Sequence, residues 1–410
     1  MPSLARAPRI LSSLLLACAL SRPAATAVLA QESASSATAV LRVAQSEPAD
    51  VVGNDDVALK AGLDRLRKSG GTLVVGPGRY VIRRSLILPA RIVVRGEPGA
   101  VLALPAPVLT AEAAPAGSSE LVLAGPHEFD ASGGRILLQI LPPVDQATFA
   151  DGVTEKLDLQ PSTRVEGQRV FLDVPLAVDV PAGSRVGLPL KIFQTHPLGL
   201  ATIEDLTFDG GRIESIPMPG HEKRCAIWAS SPLDPDKPER PGPPGRGVVV
   251  RHCRFHDWYG RAVALYYQVG GQVEGCLIER VDDEAIDLDH FCEGFRIAGN
   301  EIRDARWGIV LNDASRNSVE YNRIDGGEIG IFSWWLPGVV ARGINEENVL
   351  RCNVVRGTSQ APIRVDRTCV RYLIEHNWVE GEIEVVEDDN VVRANTRLDP
   401  PSEPSPAPER

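Results

Sequence analysis

The chain has 410 residues, with 43 basic residues against 54 acidic ones, a formal net charge of -11, and seven cysteines. No basic run stands out, which argues against nucleic acid as a partner. No cysteine pair has CxxC or finger-type spacing, which argues against a zinc site.

At the N-terminus, Arg6 and Arg9 precede the apolar run ILSSLLLACAL at 10–20, and small residues follow in ATAVLAQ. This order predicts a signal peptide over 1–30, cleaved after Ala30 or Ala27, and hence a secreted or periplasmic protein. The run is too short to cross a bilayer, so no transmembrane span is expected. LLAC, ending at Cys18, also reads as a lipoprotein box that would anchor the chain. Residues 31–50, rich in Ala and Ser, read as a flexible leader.

NDDVALKAGLDRLRKSGG then predicts an Asp-capped helix with a Gly-Gly stop. Short strands follow in TLVV, RYVI and RIVV, so 51–104 form a cap and the first units of a β-structure. Residues 105–197 fit no repeat. Their segment RVFLDVPLAVDVPAGSRVGLPL alternates apolar and polar residues between Pro and Gly turns, which predicts an inserted β-rich subdomain. SSPLDPDKPERPGPPGRG, at 230–247, is too rich in proline for a core strand and reads as a loop. The end, 399–410, is a Pro-rich segment of the disordered type.

From 198 to 398 the chain repeats itself. VVRHCRF, QVEGCLI, RIAGNEI, SVEYNRI, VLRCNVV, LIEHNWV and VVRANTR each carry an apolar residue three positions before a Cys or Asn. The marked residues are Cys253, Cys276, Asn300, Asn322, Asn353, Asn377 and Asn395, spaced by 23, 24, 22, 31, 24 and 18 residues. Most units add a second short apolar strand: RAVALY, EAIDLD, WGIVLN, IGIFSW, APIRVD. Short strands of period two at a fixed interval predict a solenoid, and the Asn column predicts stacked amides inside its turns. Earlier, Ile203, Leu206 and Phe208 match Val250, Cys253 and Phe255. Cys253 and Cys276 fall at one position of adjacent coils, within disulfide reach or as buried thiols.

These repeats, with the capping helix and a G-x-L-x-x-x-P-G-x-Y entry at Gly71–Tyr80, resemble the right-handed parallel β-helix proteins of the pectin-lyase-like superfamily. The resemblance covers 51–104 and 198–398. It implies an all-β fold, a right-handed parallel β-helix solenoid with an N-terminal capping helix and the inserted subdomain.

Aligned by the repeat, one outward column reads Ala264, Asp287, Val310, Phe332 and Arg364. The next reads Ser230, Tyr266, Asp289, Asn312, Trp334 and Asp366, and Tyr267, His290, Asp313 and Trp335 adjoin it. Carboxylates, an amide and aromatic rings on one sheet face suit a glycan, with rings against C–H faces and acids against hydroxyls. Asp287 and Asp289, alternate residues of one strand, should lie roughly 6.5–7 Å apart. A carboxylate separation of about 6.5–9.5 Å suits inverting glycoside hydrolysis. Asp282, Asp283 and Glu284 fall in the turn before that strand, as assisting acids, calcium ligands or plain turn residues. His290, at the strand end, reads first as a hydrogen-bonded structural residue and second as a catalytic one.

Asp283-Glu284 before AIDL is similar to the paired Asp of polygalacturonases, although the next coil, RWGIVLND, lacks their histidine. AIDLDHF offers Asp287, Asp289 and His290 in an order altered from the D-P-H-D element of mannuronan epimerases. Resemblance to polysaccharide lyases would give Arg261, Arg306 or Arg364 the role of neutralising a uronate. No single enzyme family is matched. The expectation is a monomeric polysaccharide- or oligosaccharide-active protein that cleaves glycosidic bonds by hydrolysis or elimination. Asp287, Asp289, Asp283, Glu284 and His290 are its catalytic candidates, and Tyr266, Tyr267, Asn312, Trp334, Trp335, Arg364 and Asp366 its binding candidates. No resident metal ligand set is expected, calcium being the one cofactor left open. A non-catalytic glycan-binding solenoid and a uronate C5-epimerase are the rival readings.

Overall fold

The computed structural model describes residues 39–143, 159–218, 221–230, 233–234, 237–241, 244–334 and 345–399. The predicted signal peptide, most of the Pro-rich tail and Trp335 lie outside these residues.

Alternating apolar residues build the scaffold. Leu73, Val94, Ile203, Val250, Val273, Ile297, Val319, Leu350 and Ile374 follow one another rung by rung down a parallel ladder. All nine are buried in one continuous core. Among the described residues this sheet has twelve strands, and a second sheet of seventeen carries the other sides of the coils. The second sheet has its own inward ladder, Ile227, Val263, Ile286, Ile309, Ile331 and Ile363. Such a stack of coils is a parallel β-helix, in which each coil contacts only its neighbours.

The Asn column lies inside the turns. Asn322 Nδ2 donates to Ile297 O and to Asn353 Oδ1, both at 3.0 Å, and Asn322 Oδ1 accepts from Asn300 N at 3.0 Å and Nδ2 at 2.9 Å. Asn353, Asn377 and Asn395 continue the chain of amides. A second, shorter ladder runs from Asn317 to Asn348 and on to Tyr372. These side chains satisfy backbone groups that a turn would otherwise bury unpaired. Cys253 and Cys276 hold the same position in the first coils, buried and without a disulfide.

The N-terminal end is closed by the helix Asp56–Leu66. Asp55 accepts from Val57 N and Ala58 N at its start, and Leu59, Leu63 and Leu66 enter the core. The expected leader is shorter than 31–50, because Val40–Ala44 is a strand on the first coil. Val43 lies beside Val75 and is fully buried, so the alternation in VLRVA finds a ladder to join.

The inserted segment is an antiparallel six-stranded sheet whose strands run from Val108 to Gly187. The solenoid resumes at Lys191–Gln194 rather than 198, because this strand pairs with Leu86–Ile87 and with His221–Ser230. The insertion leaves the ladder unbroken, since Val94 and Ile203 are adjacent rungs. The Pro-rich stretch at 230–247, expected as a loop, contains a short antiparallel pair, Leu233–Asp234 with Lys237–Pro241.

Outer faces of the coils carry alternating charges. Glu204 lies between Arg95 and Arg251, each at 2.5 Å, and Glu320 between Arg296 and Arg351, each at 2.7 Å. Against the cost of burial, these guanidinium pairs hold both carboxylates below their ordinary range.

Candidate active site

The acids of VDDEAIDLDH lie on the strand Leu277–Asp289, between Gly260–Tyr266 and Glu301–Asn312. The strand runs through the expected turn, with an irregular register between Val281 and Glu284. Such bulges re-aim side chains. Ala285 and Ile286 both enter the core, so a corner there leaves Glu284 outside it, and Asp287 and Asp289 then alternate with inward Leu288. Ladder neighbours match the expected columns: Ala264, Asp287, Val310 in one and Tyr266, Asp289, Asn312 in the other.

Arg261 organises the cluster from the preceding coil. Its Nε donates to Glu284 Oε2 at 2.6 Å and its Nη2 to Glu284 Oε1 at 3.2 Å. Its Nη1 donates to the Tyr266 hydroxyl and stands 3.2 Å from Asp287 Oδ2, without hydrogen-bond alignment to that oxygen. Asp283 is 3.8 Å from Nε. On the far side, Asp289 Oδ1 accepts from His290 N at 2.8 Å and lies 3.1 Å from His290 Nδ1. The Tyr266 hydroxyl also bonds Asp289, tying the two halves together.

The acids point away from the core yet are covered. Asp287 is 1 % exposed, Glu284 2 %, Asp289 5 %, Asp283 7 % and His290 8 %. An open row of groove acids was expected. Instead all five are buried: Arg261 reaches across the rung to Glu284 and Asp287, and Asp283, Asp289 and His290 keep only slightly more exposure than those two.

Burial, above all, raises the carboxyl pKa values. Glu284 is pushed up to about 7, with Asp283 adding to the shift and Arg261 opposing it. Asp287 rises well above its ordinary range for the same first reason, and Asp289 also rises, held back by His290 and Arg261. Burial works against the charge of Arg261, but Asp287 and Glu284 hold it protonated well above its usual value. Glu284, Asp287 and Asp289 are therefore harder to ionise than free carboxyls, Asp287 more so than Asp289, unlike Glu204 and Glu320 in their ion ladders.

Aromatic side chains frame the cluster. Tyr266 stacks on Trp228 with centroids 4.5 Å apart, and Lys191 Nζ lies 3.3 Å above the same indole. His290 meets Tyr266 and Tyr267 at 5.6 and 5.9 Å, and Tyr267 stacks on Phe291. Tyr267, His290 and Phe291 are all left-handed, with φ of 53°, 37° and 65°. Non-glycine residues in that region need surrounding structure to hold them.

The remaining candidates divide. Asn312 is buried beside Asp289, and Trp334 follows it on the ladder, stacked on Phe332 at 5.6 Å with Trp307 against its edge at 6.1 Å. Arg364 is not brought to the acids: Val310 and Phe332 intervene on the ladder, and its Nε pairs with Glu384 at 2.5 Å. Asp366 stands apart as well, with its amide on Ser333 O beyond the strand end. Sequence reasoning did not centre the site on Arg261, although Arg261 and Glu284 are one 23-residue period apart. Lys191 was hidden within the supposed insert.

Asp209, His256 and Asp257 gather closely enough to hold a metal ion. Arg280 already binds both oxygens of Asp257, at 2.7 and 2.9 Å, which leaves an incomplete donor set.

Residues 243–341 match the family model described as "Right handed beta helix region". The chain is a right-handed parallel β-helix protein. No curated protein matches its sequence. Among solved structures it is similar to the Pseudomonas phage phi297 tailspike, at 11% identity over 82% of this chain and 52% of the tailspike, with a TM-score of 0.33. The chain thus spans about half the length of that tailspike. It is similar to a protein titled glycoside hydrolase, at 11% identity over 87% of this chain and 96% of the other, with a TM-score of 0.45. A third likeness is the A-module of an Azotobacter vinelandii mannuronan C-5 epimerase, at 11% identity over 86% and 98%, with a TM-score of 0.35.

Proposed function

We propose that this is an exported polysaccharide-active enzyme that hydrolyses glycosidic bonds at the Arg261 cluster. The observation that carries the reading is Asp287, whose buried Oδ2 accepts no hydrogen bond while its carboxyl is pushed strongly towards the neutral form. A carboxylic acid kept protonated beside a second, more ionised carboxylate is the arrangement that general acid–base hydrolysis needs. Asp287 is the proton donor and Asp289 the base that takes a proton from water. Their strand spacing of roughly 6.5–7 Å supports inversion. Glu284 and Asp283 share the remaining protons, Arg261 fixes the acids in place, and His290 steadies Asp289. Tyr266, Tyr267, Asn312 and Trp334 offer the sugar-contacting surface.

The near-complete burial of Asp287 and Glu284 favours a second reading, in which the cluster is structural and the solenoid binds glycans without cleaving them. Incubation with a glycan panel separates the two, with and without EDTA, read at 235 nm and by reducing ends. Hydrolysis yields reducing ends without unsaturated product, elimination yields both, and a binder yields neither. Asp287→Asn and Asp289→Asn should each lower turnover about 10²–10⁴-fold with folding and affinity little changed. Full turnover in the double variant would refute the assignment.

A further inference from the structure

We infer that the C-terminal end of the solenoid is a docking surface for a second copy of this chain, the two joining tail to tail in a closed dimer. This surface is separate from the glycan site, and the dimer takes the place of the expected monomer. The core stops unfinished at this end. Down the first sheet every inward rung is buried as far as Ile374, whereas the next rung, Val392, is 46 % exposed. In the second sheet Ile363 and Val365 are fully buried, and Ile383 and Val385 beyond them are only partly covered. Val386 and Val391, on the same coil, are 50 and 48 % exposed. The amide column is open too. Asn300, Asn322, Asn353 and Asn377 each donate their backbone N–H to the Asn of the next coil, and among the described residues no Asn follows Asn395.

Three observations make a second copy the occupant. Residues 400–410 read PPSEPSPAPER, so their sequence supplies neither the run of N–H groups nor the large apolar side chains that another rung needs. The other end of the solenoid is closed by the helix Asp56–Leu66, whose Leu59, Leu63 and Leu66 fill the core. Head-to-tail growth therefore finds no matching surface, and a tail-to-tail contact closes at two. Lastly, the end complements itself. Val391 N donates back to Tyr372 O, so along a parallel ladder the N–H and C=O of Val392 point out from the end. A two-fold axis through Val392 pairs the strand Val391–Arg393 with its own copy, antiparallel, each Val392 N–H donating to the C=O of the other. Glu387, Asp388 and Asp389 precede this strand and Arg397 follows it, so the acids of one copy meet the exposed arginine of the other. The last coil, residues 380–398, offers roughly the 20 residues a side that a specific interface uses.

The test is the mass of the full chain in solution, by sedimentation equilibrium and light scattering from about 1 to 200 µM. The expected result is a mass that rises from one chain to two across that range and no further. Val392→Lys places a charge on the axis and should weaken the dimer about 30-fold or more, with the circular dichroism spectrum unchanged. Val392→Cys gives a readout that does not depend on losing anything. The Cα atoms of a hydrogen-bonded antiparallel pair lie about 5.5 Å apart, so copper–phenanthroline should oxidise the two thiols to a disulfide between chains, located at residue 392 by peptide mass. A chain that stays monomeric throughout overturns the inference, as does a dimer indifferent to Val392→Lys or a Val392→Cys chain that does not cross-link. A chain that dimerises only once residues 400–410 are deleted also overturns it, by making that segment the occupant. None of these outcomes depends on glycan turnover.

Discussion

Replacing Arg261 by Met keeps most of the side-chain stem and removes the guanidinium that, among the described residues, faces Glu284 and Asp287. Two charge-assisted bonds to Glu284 are lost, at 2.6 and 3.2 Å, together with the 3.2 Å approach to Asp287 and the bond to Tyr266. Stranding buried charges in this way costs about 3–5 kcal/mol. The acids have an escape, because they can take up protons. In the variant their folded pKa values rise further above the unfolded ones, so the folded state binds the extra protons and regains stability as pH falls. Urea unfolding followed by circular dichroism should therefore show a loss of about 3–5 kcal/mol at pH 8, shrinking to about half or less at pH 5. A loss below about 1 kcal/mol at pH 8, or one of equal size at both pH values, would mean that Arg261 is not the counter-charge of a buried acid cluster.

Glu284, Asp287 and Asp289 all have raised pKa values, so the wild-type folded state holds protons that the unfolded chain releases. The stabilising contribution of Glu284 is present below the unfolded carboxylate range and is lost as pH climbs through about 7, by on the order of 3 kcal/mol, and those of Asp287 and Asp289 fade in the same direction. Asp257 acts oppositely: its bond to Arg280, chiefly, lowers it to about 2, so its contribution fades as pH falls towards that value. Melting temperature should accordingly peak in mildly acidic buffer, and a plateau extending from pH 5 to 9 would contradict the cluster. Asn322→Leu removes four buried amide hydrogen bonds and should destabilise by about 3–5 kcal/mol in urea, against under 1 for Glu382→Ala at an exposed site. Equal effects would place Asn322 outside the turn stack. Cys253 and Cys276 should resist thiol reagents in the native protein and react as free thiols once unfolded, with no mass change on reduction beforehand.

The solenoid was legible because its signal is redundant: every coil repeats the same offset between an apolar residue and an Asn or Cys, and one misread coil leaves the others in register. Asn322 and Asp289 therefore fell into their correct columns from spacing alone. Val40–Ala44 escaped notice because five residues make a weak pattern and acquire meaning only when Gly71–Val75 supplies a ladder. Lys191–Gln194 was lost for the same reason, with its partners distant in sequence. The site was legible in register but not in depth. Period two says that Asp287 points away from Ile286 and Leu288, and it is silent on what lies over Asp287. That depends on Arg261 and Tyr266, whose lengths let them reach across a rung, and the repeat does not encode reach. Arg364 failed for the complementary reason: sharing a column with Asp287 places it three rungs away, about 14 Å, nearer to Glu384 than to the acids.

A parallel β-helix makes each outward column a row of independent choices, since neighbouring rungs are fixed by the core and not by one another. Along the column of Asp287 the chain places Trp228, Ala264, Asp287, Val310 and Phe332. The acid thus has a small apolar residue on each side and an aromatic ring beyond each of those. Alanine and valine offer no hydrogen bonds, so Asp287 is desolvated along the axis as well as from above. That isolation is what raises its pKa, and the same residue set in the column of Glu204 would be flanked by arginines and ionised. The chemistry of the site follows from which residues occupy the neighbouring rungs. Ala264 is itself fully buried, so the test that leaves the coil intact is Ala264→Ser: a hydroxyl on the rung before Asp287 should lower the pKa of that acid, and an unchanged pH dependence of stability would contradict the argument.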